Sequence, residues 1–316
     1  MVLDDCFYDG IVRKWGIGGS IDLCYKIANG RWFSHIVCAF SFYFLQHNFT
    51  LYALYLTFLM LLFILGISSL YKNYCKTFLQ KQVSFSSRIS FAAVFTATIY
   101  FLLFEGRWEI WSWVSSANNH LLSVITCLFL FSVLLEENGN VLLAFLLAAF
   151  VGGLNEVNAI CSVMSIIGLL LLNKFYFTTI KLRKLNLFIA IVAIASSLIV
   201  NINSGGYKIR MEGLPDFTLL QSLKNTLHSF LIPFIHYKYL PFILGALFIF
   251  YFFIREGKLK TIWKEEIVIF ICAFFIVIVS FFIHCYSLSD IMPPRGELWG
   301  YCLLLFIVSA HFIKGK

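Results

Sequence analysis

Two adjacent carboxylates, Asp4 and Asp5, stand near the start of the chain, where their type and spacing suit acid–base or metal chemistry. Neighbouring carboxylates can share a proton, which lets one of them act as a general base, or they can share a divalent cation. We therefore predict Asp5 or Asp4 as the catalytic base. The same pair would be the metal ligands, for Mg²⁺ or Mn²⁺, if the reaction needs a metal. We interpret the surrounding residues 1–32 as a polar loop.

Four cations follow glycine turns or stiff segments and could bind phosphate. Arg31 completes an Asn-Gly-Arg step, Lys208 and Arg210 follow two glycines, and Arg295 follows two prolines. Cations beside the free N–H groups of a turn suit phosphate, because both direct positive charge at the ligand. Alternatives stay open at two places. The pair at 208 and 210 equally fits a surface turn, and Arg295 equally fits an arginine that reaches lipid headgroups.

Glu156 and Asn155 lie between two apolar segments, and the glycine pair Gly152–Gly153 precedes them by one residue, Leu154. A carboxylate near hydrocarbon is costly and needs a partner, so we predict a functional Glu156 and not a solvated loop residue. Trp113 and Asn119 belong to another polar segment that contains three tryptophans. These rings either anchor the chain at the membrane surface or pack on a sugar face, and both interpretations stay open. We predict Asn155, Glu156, Trp113 and Asn119 as substrate-binding residues, together with the four cations.

The composition identifies the setting in which these residues act. Of the 316 residues, 60% are hydrophobic and 13% are charged, and the mean hydropathy is +0.87. Apolar segments recur from Ser34 onward, and no polar stretch is long enough for a soluble domain. We predict one all-α integral membrane domain, residues 1–316, with about eight transmembrane helices and a short interfacial helix at 34–48. We also expect a first helix to be missing upstream, because residues 1–32 are predicted to lie outside.

The net charge of +8 is divided between the two sides of the membrane. The segments predicted inside hold 14 of the 24 Lys and Arg residues, at 72–88, 173–186, 255–266, Lys314 and Lys316. Basic loops mark the cytoplasmic side, so every candidate site residue is predicted on the outer side. The same division argues against a basic nucleic-acid surface. We expect an outer polar segment at 203–239 and spanning helices at 239–254 and 298–313.

The order of these motifs resembles a poorly characterised bacterial multi-spanning family that is similar to the GT-C glycosyltransferases, membrane enzymes that use polyprenyl-phosphate sugars. The motifs are Asp4–Asp5, Asn29–Gly30–Arg31, 113–120, 153–156, 203–210 and Pro294–Arg295. The resemblance implies a GT-C-like fold and a direct displacement at the anomeric carbon. Asp5 or Asp4 would take the acceptor's proton, and the cations would meet the leaving phosphate. Glu156 would bind sugar hydroxyls or orient one of the arginines.

The resemblance also implies a function. The protein would move a sugar from a polyprenyl-phosphate carrier to a glycan or lipid acceptor of the cell envelope, at the outer face of a bacterial inner membrane. One alternative is a flippase or exporter that holds the lipid-linked sugar without reaction. Another is a polysaccharide polymerase or ligase in which His228 and His236 carry the chemistry. Because the predicted spans lack charged residues well inside, an enzyme at one face is favoured over a transporter with a midplane site.

Overall fold

The computed structural model describes residues 3–45, 48–78, 80–102, 107–175, 182–212, 219–235 and 264–288, and single residues between 300 and 306. Every regular element in this part of the chain is a helix, as the all-α prediction requires. In chain order the helices are α1 (Leu3–Ile27), α2 (Trp32–Leu45), α3 (Phe49–Phe78), α4 (Phe85–Leu102), α5 (Arg107–Ser112), α6 (Val114–Leu134), α7 (Val141–Leu154), α8 (Glu156–Phe175), α9 (Lys184–Ile202), α10 (Gly205–Glu212), α11 (Leu219–Ile235) and α12 (Lys264–Leu288).

Three of these helices, α3, α6 and α9, are long and apolar enough to cross a membrane, with mean hydropathies of 2.3, 1.6 and 2.3. Large apolar side chains stay exposed along α3 and α9, including Leu54, Phe58, Phe188 and Ile199. Exposed apolar surface of this extent belongs against lipid. The prediction of about eight spans goes beyond the three found in the described residues, and the spans predicted at 239–254 and 298–313 lie almost entirely outside them.

Helix α6 is the centre of the bundle. Of its spanning window 83% is buried, against 33% for α3 and 39% for α9. Leu121, Val124 and Leu128 of α6 belong to one apolar core with Phe63 and Ile67 of α3. Because lipid is as apolar as leucine, such contacts hold membrane helices together by close packing more than by transfer from water. The start of α6 is therefore held firmly in the bundle, and the helices that pack against it are positioned by it.

Helices α7 and α9 approach closely through small side chains. A Cβ atom at Gly152 would lie 2.6 Å from Ser197 Cβ and 2.7 Å from the Ile194 carbonyl oxygen. Asn201 Nδ2 donates to the Gly152 carbonyl oxygen at 2.8 Å. Small residues allow such close packing of membrane helices. As a result, the end of α9 lies beside the junction of α7 and α8. Glu156 is the first residue of α8.

The interpretation of residues 1–32 as a loop is wrong, because Leu3–Ile27 forms helix α1. Its buried residues Asp5, Tyr8, Asp9 and Val12 recur at the helical spacing. Two of these four are aspartates, and large apolar side chains such as Phe7 and Trp15 are exposed, so no apolar stripe reveals the period in the sequence. The helix is kinked at Gly16, whose φ of 67° suits a residue without Cβ.

Helical segments also form in one other predicted loop and in the predicted outer polar segment. The segment predicted as a loop after α4 contains α5 and the start of α6, and the outer segment 203–239 contains α10 and α11. The short helix predicted at 34–48 is confirmed as α2, Trp32–Leu45. Polar composition is thus a poor predictor of loops in this chain, because polar residues also occur at the ends of helices.

Candidate functional site

Arg31 and Glu156 lie 125 positions apart in the sequence and form an ion pair where α2 and α8 begin. Arg31 Nε lies 2.8 Å from Glu156 Oε2, and the two side chains are 12% and 19% exposed. Because the pair is mostly shielded, solvent and salt screen it less than a surface pair. The bond uses one of the five N–H donors of the guanidinium, so the terminal amino groups can bind a second anion. The partner that Glu156 requires is therefore Arg31.

Asn155 fixes the position of Glu156. It is buried, with an extended backbone between α7 and α8. Its Oδ1 accepts hydrogen bonds from the backbone N–H groups of Val157, at 3.1 Å, and Asn158, at 3.2 Å, which caps α8. Glu156 is then the first residue of the helix, where the helix dipole favours a negative charge. Asn155 Nδ2 also lies 3.4 Å from His120 Nδ1.

The Asn29–Gly30 turn joins α1 to α2 and packs directly on the end of α9. A Cβ atom at Gly30 would overlap the Asn201 carbonyl oxygen. His35 Nε2 donates to the Asn29 carbonyl oxygen at 2.8 Å, and His35 Nδ1 lies 3.4 Å from the Tyr8 hydroxyl. Burial lowers the pKa of His35, while the bond to the Asn29 carbonyl acts in the opposite direction. The His35 ring thus supports the turn that carries Arg31.

Helix α10 brings Lys208 to the same turn. A Cβ atom at Gly205 would lie 2.7 Å from the Lys26 carbonyl oxygen, and one at Gly206 would lie 2.7 Å from the Asn29 nitrogen. Ser204 caps α10, because its Oγ accepts from the Tyr207 N–H at 3.0 Å. Lys208 itself is exposed. The two predicted cation segments, around 31 and 208, therefore meet at one end of the bundle.

A π-helical turn at Ala117–Leu121 carries Asn118, Asn119 and His120 near the start of α6. Asn118 is fully buried, and its Oδ1 accepts from the Tyr55 hydroxyl at 2.5 Å. Asn119 Oδ1 accepts from the Ser34 hydroxyl, and its Nδ2 donates to the Ser115 carbonyl oxygen at 2.8 Å. Asn119 is thus tied to α2 close to Arg31. Turns of this kind are frequent at functional sites.

Asp5 caps α6 from another helix. Its Oδ1 accepts from the Ser115 N–H at 3.0 Å and from Ser115 Oγ at 2.6 Å, and its Oδ2 accepts from the Val114 N–H at 3.3 Å. Trp113, which is extended and half-buried, precedes α6 without a side-chain capping bond of its own. A carboxylate at a helix N-terminus satisfies free N–H groups and the helix dipole together. Asp5 is 3% exposed. This geometry suits a positioning role, and the assignment of Asp5 as general base stays a prediction.

The other predicted residues are described in less detail. Asp4 lies in the first turn of α1, where successive residues are about 100° apart around the helix axis. The side chains of Asp4 and Arg210 lie outside the described part of the chain, as do all of Arg295 and His236. No group of three His, Cys, Asp or Glu side chains within the described ranges is placed to hold a metal ion. The Asp4–Asp5 metal site therefore stays a prediction.

The sequence interpretation missed the residues that support this site. Ser115 and Tyr8 hold Asp5 and His35, and Asn201 joins α9 to α7. Their partners are far apart in the sequence, so spacing alone gave no signal for these contacts. The one available signal was the Ser-Ser-Ala-Asn-Asn-His run at 115–120, since such polar residues inside an otherwise apolar segment need partners.

Comparisons of the chain with models of known protein families, with curated proteins and with solved structures find no match. The resemblance to GT-C enzymes accordingly stays a prediction, and the site is interpreted from its own chemistry. It combines a shielded arginine–glutamate pair, amide and imidazole groups, and a lysine beside a glycine turn. Such groups can hold a ligand that carries both a phosphate and hydroxyl groups.

Proposed function

We propose that the protein is a membrane glycosyltransferase that moves a sugar from a polyprenyl-phosphate carrier to a cell-envelope glycan or lipid acceptor, at the outer face of a bacterial inner membrane. The observation that carries the proposal is the convergence of Arg31, Glu156, Asn119 and the Lys208 helix at one end of the bundle. An enzyme with a lipid-borne substrate needs its polar groups at one face. A transporter needs them near the midplane, where both sides reach them in turn.

The proposed reaction is a single displacement. The acceptor hydroxyl attacks the anomeric carbon and forms a new C–O bond, while the bond from that carbon to the phosphate oxygen breaks. Polyprenyl phosphate leaves with the electron pair of that bond. Arg31 and Lys208 stabilise the charge that grows on the phosphate, and Glu156 holds the Arg31 guanidinium in the orientation for this contact. The acceptor's proton goes to a carboxylate, for which Asp5 and Asp4 are the candidates.

Substitution of the ion pair tests the proposal. Arg31→Gln and Glu156→Gln each remove one charge, and Lys26→Gln is the matched control. Lys26 also forms an ion pair, with Asp22 at 2.7 Å, but these two side chains are 65% and 62% exposed. A host without the gene receives each variant at equal membrane abundance, and its surface glycans are profiled by mass spectrometry.

We expect Arg31→Gln and Glu156→Gln to lose one sugar from the profile, and Lys26→Gln to restore it. Loss of one donor to a transition-state oxyanion lowers the rate by about 10²–10³. Removal of one partner should also lower the free energy of unfolding by about 2 kcal/mol, between the values for exposed and fully buried pairs. Melting temperatures therefore accompany each profile. A complete glycan profile from Arg31→Gln would refute the proposal.

A reconstituted assay separates transfer from transport. Purified protein in lipid nanodiscs receives a labelled polyprenyl-phosphate sugar and an acceptor, and the products are free polyprenyl phosphate and the extended acceptor. In vesicles, movement of the intact carrier without these products would favour the exporter alternative. His228 is exposed on α11. Retention of activity by His228→Ala would count against the polymerase alternative.

A further inference from the structure

Helix α11 has the reverse of the polarity expected for a helix on a water-soluble protein. Among the side chains of this helix that the structure describes, the buried ones are all polar and lie at the helical spacing of three and four, namely Ser222 (0% exposed), Asn225 (9%), Thr226 (3%) and Ser229 (0%). Its most exposed apolar side chains are four leucines, namely Leu219 (63%), Leu220 (77%), Leu223 (49%) and Leu227 (57%). A helix with water outside would bury the leucines and expose the hydroxyls.

The outward surface of α11 has two distinct parts. Lys224 and His228 are exposed and lie one helical turn apart. Since each residue turns about 100° around the axis, they form a strip beside the leucine face and do not interrupt it. Gln221, also exposed, lies on the same strip. Along residues 219–229, α11 thus presents a hydroxyl and amide face to the protein, a leucine face, and a polar strip with one lysine.

Helix α11 packs on α12, which in turn packs on α8, the helix that begins at Glu156. Ser229 Oγ is 3.9 Å from Cys285 Sγ of α12. Leu231 packs on an apolar cluster that includes Phe281 and Cys285, and Val157 packs on the same cluster. Val157 directly follows Glu156, so α11 sits near the end of the bundle where the polar residues gather. This is where a membrane protein passes from hydrocarbon to headgroups.

The three faces of α11 differ in polarity, so each needs a different environment. The protein covers the hydroxyl face, and the leucine face needs hydrocarbon, because apolar side chains are less favourable in water than in an apolar environment. The polar strip needs water or headgroups, since a lysine in hydrocarbon is costly. The boundary of a bilayer supplies both outer surroundings at once, and exposed apolar faces on α3 and α9 place lipid around the same bundle.

We propose that α11 is a membrane-boundary helix whose leucine face contacts phospholipid acyl chains and whose Lys224–His228 strip lies among the headgroups. The inference does not depend on the proposed glycosyl transfer. It differs from the interpretation of 203–239 as an outer polar segment, because it places the leucines of this segment in the membrane. Lipid is then in direct contact with a helix that shares an apolar cluster of α12 with Val157.

Spin labels at single cysteines test the proposal in phospholipid nanodiscs. The labelled positions are Leu220, Leu223 and Leu227 on one face, and Lys224 and His228 on the strip. Cys6 is exposed and Cys272 is partly exposed, so both are first replaced by serine and alanine. Phe188, 65% exposed on the spanning helix α9, is the lipid reference, and Lys26 is the aqueous reference. Collision rates with oxygen and with a water-soluble nickel complex are measured at each site.

We expect the ratio of oxygen to nickel collisions at the leucine sites to approach that at Phe188 and to exceed the ratio at Lys224 and His228 severalfold. Ratios like that of Lys26 at all five sites would place the whole face in water and overturn the proposal. Labels that are immobilised and protected from both reagents would show that protein covers the face, and this result would also overturn the proposal. Benzoylphenylalanine at Leu223 gives an independent result: a photoadduct with phospholipid supports the proposal, and an adduct with another part of the chain or a second copy contradicts it.

Discussion

Replacement of Asp5 by alanine should loosen the start of α6, because it removes a cap supplied by another helix. Three hydrogen bonds disappear, from the Val114 N–H at 3.3 Å, the Ser115 N–H at 3.0 Å and Ser115 Oγ at 2.6 Å. A helix cap contributes about 0.5–2 kcal/mol, and the carboxylate's interaction with the helix dipole contributes about 0.3–1 kcal/mol. A buried donor left without an acceptor costs about 1–3 kcal/mol, and these effects overlap.

We therefore expect Asp5→Ala to lower the free energy of unfolding by about 3 kcal/mol, within the range of those contributions. Asp5→Asn, which keeps one acceptor oxygen, should cost about 1 kcal/mol. The control is Asp22→Ala, which removes a 62%-exposed carboxylate of the same helix. It should change the stability by no more than about 0.5 kcal/mol.

Thermal unfolding in detergent compares the variants, and hydrogen exchange of the amides at 114–121 locates the effect. Faster exchange of Val114 and Ser115 in Asp5→Ala is expected. If Asp5→Ala melts at the wild-type temperature and its amides at 114 and 115 exchange at the wild-type rate, the cap contributes nothing and the reasoning is refuted. Asp5→Asn also separates the two roles of Asp5. Wild-type melting together with lost sugar transfer would favour a base, whereas parallel losses of stability and activity would favour positioning.

Two further predictions concern the turn that carries Arg31. Gly30→Ala should cost at least about 1–3 kcal/mol by overpacking, since a methyl group there overlaps the Asn201 carbonyl oxygen. Gly10→Ala, at an open helical position, should be neutral or stabilising by about 0.5–1 kcal/mol, and equal melting of the two variants would contradict the close approach. His35 has a lowered pKa in the fold, so on acidification the unfolded chain binds the proton first. The contribution of His35 to the free energy of unfolding is complete above a pH of about 6.5 and decreases as the pH falls below that value. The loss of melting temperature between pH of about 7.5 and about 5 should be smaller in His35→Gln, and an unchanged loss would show that other groups cause it.

The apolar segments could be predicted from the sequence because burial and lipid contact both select long runs of apolar residues. The short helix α2 and the spanning helices α3 and α9 fall where hydropathy predicts them. The need of Glu156 for a partner also followed from its position between apolar segments. The identity of that partner did not follow, because Arg31 is 125 positions away and only the packing of α2 on α7 brings the two together.

Helix α1 shows why the remainder could not be predicted. Its buried face contains Asp5 and Asp9, which are stabilised by the α6 N-terminus and by Arg13 and not by apolar contact. A pattern search for apolar periodicity therefore finds no helix there. The same holds for α11, whose buried face consists of hydroxyl and amide groups. In both helices, some of the polar residues that composition assigns to a loop pack against the protein.

The π-helical turn at Ala117–Leu121 is a place where α6 can change its length without changing its direction. A π-helical turn holds about one residue more than an α-helical turn, so deleting a single residue there would restore an uninterrupted α-helical ladder. Because the extra residue widens one turn and does not add a turn, the parts of α6 before and after the deletion would keep nearly the same rotation about the helix axis. Ser115 would still face Asp5, and Val124 would still face the core. The loss of one codon would therefore fall on the Asn118–His120 groups alone and would make the helix itself more regular.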